Sequence, residues 1–417
     1  MLLRVLPPPG STPGTASKNP AAAGDACRVA DFERIESKTD LEALAKDLLK
    51  KKVVAIDTEA DSFYHYFDKT CLVQIATKKR TWLVDPLALG GPAELAPLGP
   101  VIADPGIRKI FHAAEYDIFV LKRDCGFHFA NLFDTMVCAQ MLGYPAIGLA
   151  ALVERHFGIK VPKDEQRSDW SARPLRDKQL TYAASDVTHL IALSTLLEKA
   201  LRSAGRLAWA QEEFEALTHR EWPERSFDRL GYLRIKGARA LDPQALSVLR
   251  EIFLVRDARA REIDRPAFKV LGNRALLEIA ERRPKSDEEL AGIKGVSNLI
   301  RRRIGREILG AVERGTKKRH GPIPRRLNGA PHGRRRMDKK AEKRLAALKR
   351  WRTRRAKEVA LDPGVLCPNA SLEAIALRNP ETREDLQEVH ELKGWFARSF
   401  GEEVVDALRN DNSGQGA

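Results

Sequence analysis

Val53-Val54-Ala55-Ile56-Asp57-Thr58-Glu59 follows directly on the triplet Lys50-Lys51-Lys52, and the reading of these seven residues decides the fold. A short apolar run containing three β-branched residues and bounded by charge predicts a buried strand. Asp57 and Glu59 stand at its end two positions apart, and residues two apart in a strand point to the same face. Two carboxylates emerging side by side from a core strand repel each other and are costly to keep ionised unless a cation sits between them. A divalent metal meets that need. Alone, Asp-x-Glu is a common tripeptide that usually marks a solvated strand end, so the reading depends on what the chain supplies elsewhere.

On the N-terminal side, Asp31 to Ser37 reads as a short edge strand. A helix follows from about Asp40 to Lys50, with Leu41, Leu44, Leu48 and Leu49 at helical spacing. Beyond Glu59, Leu72 to Ala76 and Trp82 to Val84 read as two strands joined by the polar turn Lys78-Lys79-Arg80, so three strands form a meander. Arg108 to His112 predicts a fourth strand and Leu132 to Thr135 a fifth, with a helix between them ending near Gly126. Helical patterns then dominate to about Ala204. Strands first and helices interleaved later indicate an α/β domain.

Two further pieces carry chemistry. In F-H-A-A-E-Y-D-I-F-V-L, residues 111 to 121, Asp117 falls in the first turn of the helix after a strand end. An acid there is often only a cap or a dipole partner, and His112 at the strand end is as readily a hydrogen-bonded core residue. A helix is read over 175–193 with Leu180, Ala183, Val187 and Leu190 inward, and on it Tyr182 and Asp186, four apart, share one face. An acid with a phenol stacked beside it can hold a metal and orient a water; a plain Tyr-Asp surface hydrogen bond is the alternative.

The set Asp57-x-Glu59, Asp117 behind a His-containing strand end, and Tyr182-x-x-x-Asp186 resembles the three motifs of the DEDD exonuclease superfamily, tyrosine subtype. The words N-L-F-D-T at 131–135 and Q-R-S-D-W-S-A-R-P-L at 166–175 are similar to those of the ribonuclease D family. The resemblance covers about residues 30 to 205. It implies a ribonuclease H-like fold and 3′ to 5′ hydrolysis releasing nucleoside 5′-monophosphates. It further implies that Asp57, Glu59, Asp117 and Asp186 hold two Mg²⁺ or Mn²⁺ ions, hard cations that prefer oxygen ligands. Such a pair, roughly 3.5–4 Å apart, clamps the attacking and leaving oxygens of a phosphoryl displacement. Tyr182 would orient the attacking water, because a phenol with a pKa of about 10 is a poor base at neutral pH. His112 and Phe63 are expected as pocket walls, Gln166 as a phosphate contact, and Trp170 is open, on equal terms, between stacking on a terminal base and simple packing. Asp134 is open between capping and catalysis.

Beyond about Arg220 the chain is almost wholly helical and repeats itself with a period of 96 residues. Asn273, Leu276, Ile279, Ala280, Arg282 and Pro284 recur as Asn369, Leu372, Ile375, Ala376, Arg378 and Pro380. Each copy is expected to open with a long amphipathic helix (Pro243 to Ile263, then Lys339 to Val359), followed by a short one and a remainder punctuated by Pro and Gly. The copies resemble tandem HRDC domains, the helical module shared by RecQ helicases and ribonuclease D. The expected organisation is a disordered arm at 1–27, an exonuclease domain at 28–215, HRDC-like domains at 236–314 and 338–411, and a basic linker at 315–337.

Charge and composition narrow the partners. Residues 301–360 hold 23 Lys and Arg against 5 Asp and Glu, a net +18 that exceeds the +15 of the whole chain. Such concentration is the footprint of a polyanion binder, and Lys343, Arg350, Arg354 and Lys357 recur near helical spacing as the expected backbone grip. Five cysteines, odd in number and without a Cys-x-x-Cys pair, argue against a disulfide framework or zinc site and for a reducing, cytoplasmic location. The N-terminal residues lack an apolar signal core. The leading expectation is a metal-dependent 3′ exoribonuclease acting on structured RNA such as tRNA precursors, monomeric, without membrane or small-molecule cofactor. The alternatives are a 3′–5′ DNA exonuclease, since nothing in four carboxylates senses a 2′-OH, and a nucleic-acid-binding scaffold with a vestigial nuclease domain.

Overall fold

The computed structural model describes residues 31–162, 164–222, 226–318, 320–321 and 337–413. The arm expected at 1–27 and most of the linker expected at 315–337 lie outside these residues. Among the described residues no helix is long and apolar enough to cross a membrane.

The chain folds as two compact units, and their membership does not follow chain order. One holds the described residues up to Glu59, then Thr70–Trp222 and the C-terminal 337–413; the other holds Ala60–Lys69 together with 226–321. The second helical copy therefore shares a unit with the α/β region, whereas the segment just past Glu59 packs with the first copy.

In the first unit, β1 (Phe32–Ile35), β2 (Val53–Ala60), β3 (Thr70–Ala76), β4 (Thr81–Val84), β5 (Arg108–Phe111) and β6 (Leu132–Asp134) form one sheet in the order β1-β4-β3-β2-β5-β6. The expected meander is there, with β3 and β4 antiparallel, while β2 pairs parallel with β5 and β5 with β6. Val54, Ala55 and Ile56 are buried completely or nearly so, as an apolar run inside a two-faced sheet requires. Pairing of Ala55 with Ile110 brings Asp57 level with His112, the first residue beyond β5. Parallel neighbours thus deliver both strand ends to one edge of the sheet.

Around the sheet lie α1 (Lys38–Leu48), the short α2 (Pro86–Leu89) and α3 (Gly99–Ala103), α4 (Glu115–Cys125), α5 (Thr135–Met141), α6 (Leu149–Phe157), α7 (Asp177–Thr188), α8 (Leu190–Ser203) and α9 (Leu207–Thr218). The single helix expected over 175–193 is in fact two, α7 and α8, meeting at His189. At the end of α7 the Thr188 hydroxyl donates back to the Ala184 carbonyl at 2.7 Å, a bond that competes with the backbone ladder and bends helices.

The 96-residue repeat is exact in register. The first copy contains α10 (Pro243–Glu262), α11 (Ala267–Val270), α12 (Asn273–Arg282), α13 (Asp287–Ala291) and α14 (Asn298–Thr316). The second contains α15 (Lys339–Glu358), α16 (Pro363–Leu366), α17 (Asn369–Arg378), α18 (Arg383–Gln387) and α19 (Gly394–Ser413). What the sequence suggested as a punctuated remainder is three more helices, started by the caps Ser286 and Thr382 on their short members. Both copies turn through the left-handed region after their long helix, at Asp264 (φ 46°) and Ala360 (φ 52°). The second copy joins the α/β core through stacked Trp209 and Trp395 rings, 4.7 Å apart, and a Lys393–Glu213 ion pair at 2.8 Å. Gly143 fits directly against Ala360: a Cβ there would lie 1.8 Å from the Ala360 carbonyl oxygen.

Candidate active site

At the edge where β2 and β5 end, Asp57, Glu59 and Asp186 converge. One ligand oxygen from each lies within 4.8 Å of the others. The strand alternation puts Asp57 and Glu59 on one face, and α7 carries Asp186 over it. Thr58, between the two acids, donates its hydroxyl to Asp117 Oδ1 at 2.5 Å. Asp117 is 6% exposed and faces the same cavity, though it stands outside the tight trio.

These carboxyls sit where a carboxylate is hard to sustain. Burial pushes the Asp57 carboxyl up to about 7. Burial, reinforced by repulsion from Asp57, holds Glu59, Asp117 and Asp186 well above the usual carboxylate range. Four crowded acids that burial and mutual repulsion hold against ionisation, offering only oxygen donors, are the donor set that Mg²⁺ or Mn²⁺ fits and that softer metals do not. Tyr182 is hydrogen-bonded to Asp186, and burial, followed by the surrounding acids, pushes its phenol well above its ordinary value. It remains a protonated donor.

A cavity of about 580 Å³ opens over this cluster. Asp57, Glu59, Asp117, Tyr182 and Asp186 line it along with His112 and Gln166, so seven of the residues singled out from sequence meet in one place. The Thr135 hydroxyl donates to the Phe111 carbonyl at 3.0 Å, so His112 Nδ1 is the donor in its 2.9 Å contact with that hydroxyl, and burial depresses the pKa of the ring. The sequence reading missed the remaining wall, which includes Tyr116, Ile147, Leu149, Val161 and Pro162. These sit on loops and helix starts without a periodic pattern, and only the fold gathers them. Phe63 is exposed on the segment 60–69 and is not part of this lining.

Of the two readings of Trp170, packing fits and stacking on substrate does not. It is 1% exposed, packed among Leu72, Leu175 and Leu180, with its ring 6.1 Å from that of Tyr182. A buried indole has no face to offer a base, so Trp170 backs the Tyr182 ring instead of stacking on substrate. Asp134 resolves as a cap: its carboxylate accepts from Met136 and Val137 at the start of α5 and from Ala113 and Ala114 ahead of α4. It thereby fixes the turn at Ala113 (φ 61°) from which the Asp117 helix departs.

On α15, Lys343, Arg350 and Arg354 are exposed, while Arg344 and Arg352 are turned inward onto the carbonyls of Ala376 and Cys367. The helix holds ten Lys and Arg against two Glu, and the exposed members form a cationic surface that its own acids do not neutralise.

Residues 32–202 match the 3′-5′ exonuclease family, and residues 245–312 and 341–408 each match the HRDC domain. A ribonuclease D from Gluconacetobacter diazotrophicus is 33% identical over 377 residues, which is 89% of this chain and 91% of the relative. The crystal structure of Escherichia coli RNase D, an exoribonuclease involved in structured RNA processing, is similar with a TM-score of 0.65 and 25% identity over 91% of this chain and 99% of that one. The catalytic core of RRP6 from Trypanosoma brucei is similar with a TM-score of 0.63 and 30% identity, covering 69% of this chain and 80% of that one.

Proposed function

The chain belongs to the ribonuclease D family of 3′-5′ exoribonucleases, and we propose that it trims the 3′ ends of structured RNA such as tRNA precursors, releasing nucleoside 5′-monophosphates. The observation that carries this reading is the convergence of Asp57, Glu59 and Asp186 within 4.8 Å at the floor of a cavity that Asp117 and Tyr182 also line.

Asp57, Glu59, Asp117 and Asp186 would hold two divalent cations, Mg²⁺ or Mn²⁺. Bound there, the cations supply the positive charge that activates water and offsets charge building on the phosphate during displacement. The chain's own groups do the positioning. Tyr182, kept protonated, donates to Asp186 and offers its oxygen to an incoming water. Thr58 fixes the Asp117 carboxylate. Asp134 fixes the turn from which Asp117 departs, so the spacing of the acids is set before substrate arrives. His112, neutral and anchored on Thr135, and Gln166 at the cavity wall are suited to hydrogen-bond the terminal sugar or phosphate. The volume of about 580 Å³ suits a terminal nucleotide rather than a duplex.

Lys343, Arg350 and Arg354 would meet phosphates farther along the RNA, adding affinity without base specificity. The four described cysteines are all free thiols, in keeping with work in the reducing cytoplasm.

The test is a gel assay of the full chain on a 5′-labelled, 3′-extended tRNA and on single-stranded DNA of matched length. Each is run with Mg²⁺, with Mn²⁺ and with chelator. Stepwise shortening of the RNA that requires metal is the expected result. Preferential shortening of the DNA would overturn the substrate assignment, and intact RNA in the presence of metal would overturn the activity.

A further inference from the structure

The second unit contains a surface that the catalytic site does not account for. All three exposed phenylalanines among the described residues lie on two short segments of it: Phe63 and Phe67, 50% and 58% exposed, on 60–69, and Phe268, 54% exposed, on α11. The two segments are held together. Lys269, next to Phe268, sits with Nζ 3.8 Å from the centre of the Tyr64 ring. The Tyr66 hydroxyl donates to Asp257 at 2.8 Å, and the Tyr66 and Phe67 rings meet edge to face at 5.0 Å.

The segment is also pinned through its backbone. The Asp264 carboxylate accepts from the backbone N–H groups of Tyr66 and Phe67, both at 3.0 Å, and lies 2.6 Å from His65 Nδ1. Asp264 does this from the left-handed turn after α10, a conformation that costs a non-glycine residue energy. The second copy has Ala360 at the equivalent turn and makes no such clasp. A loop anchored this firmly that still leaves two aromatic rings in water, beside a third on α11, is preorganised for something other than its own packing.

The cations alongside indicate what. Arg261, Arg265 and Lys269 are exposed on the same stretch of the first copy. Of the acids around them, Asp61 pairs with Lys69 at 2.8 Å, Asp257 with Tyr66, Asp264 with His65 and the backbone, and Glu262 with Arg259 at 2.7 Å. Exposed rings interleaved with cations suit a flexible polyanion with flat faces, which is single-stranded nucleic acid. Phe63 follows Glu59 by four residues in the chain.

We propose that Phe63, Phe67 and Phe268, framed by Arg261, Arg265 and Lys269, form a stacking platform for single-stranded RNA bases upstream of the 3′ end. This rests on the exoribonuclease reading above, and it adds a reason for the first helical copy to be less basic than α15. Stacking grips bases, whereas α15 grips phosphates. Each stacked base typically contributes an affinity factor of roughly fivefold to a hundredfold.

The experiment uses the full chain with chelator present, measuring binding of a 12-nucleotide oligoadenylate to wild type and to the triple variant Phe63→Leu, Phe67→Leu, Phe268→Leu. Leucine keeps an apolar group of similar bulk but removes the π face. At least a tenfold loss of affinity, recovered by Trp at the three positions, is expected. With metal, KM for the 12-mer should rise by a similar factor while turnover of a trinucleotide stays unchanged. Unaltered oligoadenylate binding in the leucine variant, or an equal loss on blunt duplex RNA, would overturn the platform. Failure of the activity reading is separable, since wild type itself would then leave both RNAs intact.

Discussion

Asp57→Asn should make the metal-free protein more stable while abolishing RNA shortening. Folding raises this carboxyl from 3.8 to about 7, so the folded state binds a proton that the unfolded chain has released. The sign follows: its destabilising effect begins as pH rises past about 4, grows through about 7 and is complete above that. A rise of about three units at about 1.4 kcal/mol each gives an upper bound of about 4 kcal/mol. Asp57 lines the cavity and keeps partial contact with its water, and the higher effective dielectric there brings the expected gain to about 2 kcal/mol. Asparagine also relieves Glu59, Asp117 and Asp186, each of which is raised by Asp57. At about 2–4 °C per kcal/mol for a unit of this size, Tm in chelator at pH 8 should rise by about 4–8 °C. At pH 4 the gain should vanish. Differential scanning calorimetry reads both, and saturating Mn²⁺ should raise Tm of wild type far more than that of the variant. A variant less stable than wild type at pH 8 in chelator would refute the reasoning that these acids are held at an energetic cost for the sake of a cation.

Tyr182→Phe should lower kcat by about 100-fold with folding and metal-induced stabilisation retained, read by single-turnover kinetics beside Tm; this is the lower end of what a positioned acid–base side chain contributes, as fits a group that orients water without taking its proton. Gly143→Ala places a methyl 1.8 Å from the Ala360 carbonyl oxygen on a backbone at φ 71°, so the second helical copy should be cleaved from the α/β core far faster in limited proteolysis. Replacing Lys343, Arg350 and Arg354 by Ala should weaken RNA binding at every sequence. It should also reduce the slope of log K against log salt by about 2, at roughly 0.7 per phosphate contact on a single strand. An unchanged slope would move the backbone grip elsewhere.

The parts of the fold that local chemistry dictates were readable in the sequence. The apolar run before Asp57 is a central strand because β-branched residues bounded by lysines have no better place, and the 96-residue offset reproduces five helices because both copies keep the same apolar positions, such as Leu276 and Ile279 against Leu372 and Ile375. The break at His189 was not readable, since Leu180, Val187 and Leu190 keep one helical spacing straight across it. Trp170 was left open for a related reason: a loop tryptophan between polar neighbours reads equally as a contact residue or as packing until the packing of α7 on β3 encloses it. The shuffled membership of the two units was equally hidden. It depends on Asp264 reaching residues 65–67 and on Gly143 admitting Ala360, and contacts nearly 200 residues apart in the chain leave no local pattern.

The most direct test is calorimetric titration of the full chain with Mn²⁺ in saturating adenosine 5′-monophosphate, repeated with Asp57→Asn and Asp186→Asn. Two ions per chain for wild type, with at least one lost in each variant, is the outcome that four converging carboxylates predict. Binding that is absent in wild type, or unchanged by both substitutions, would contradict it.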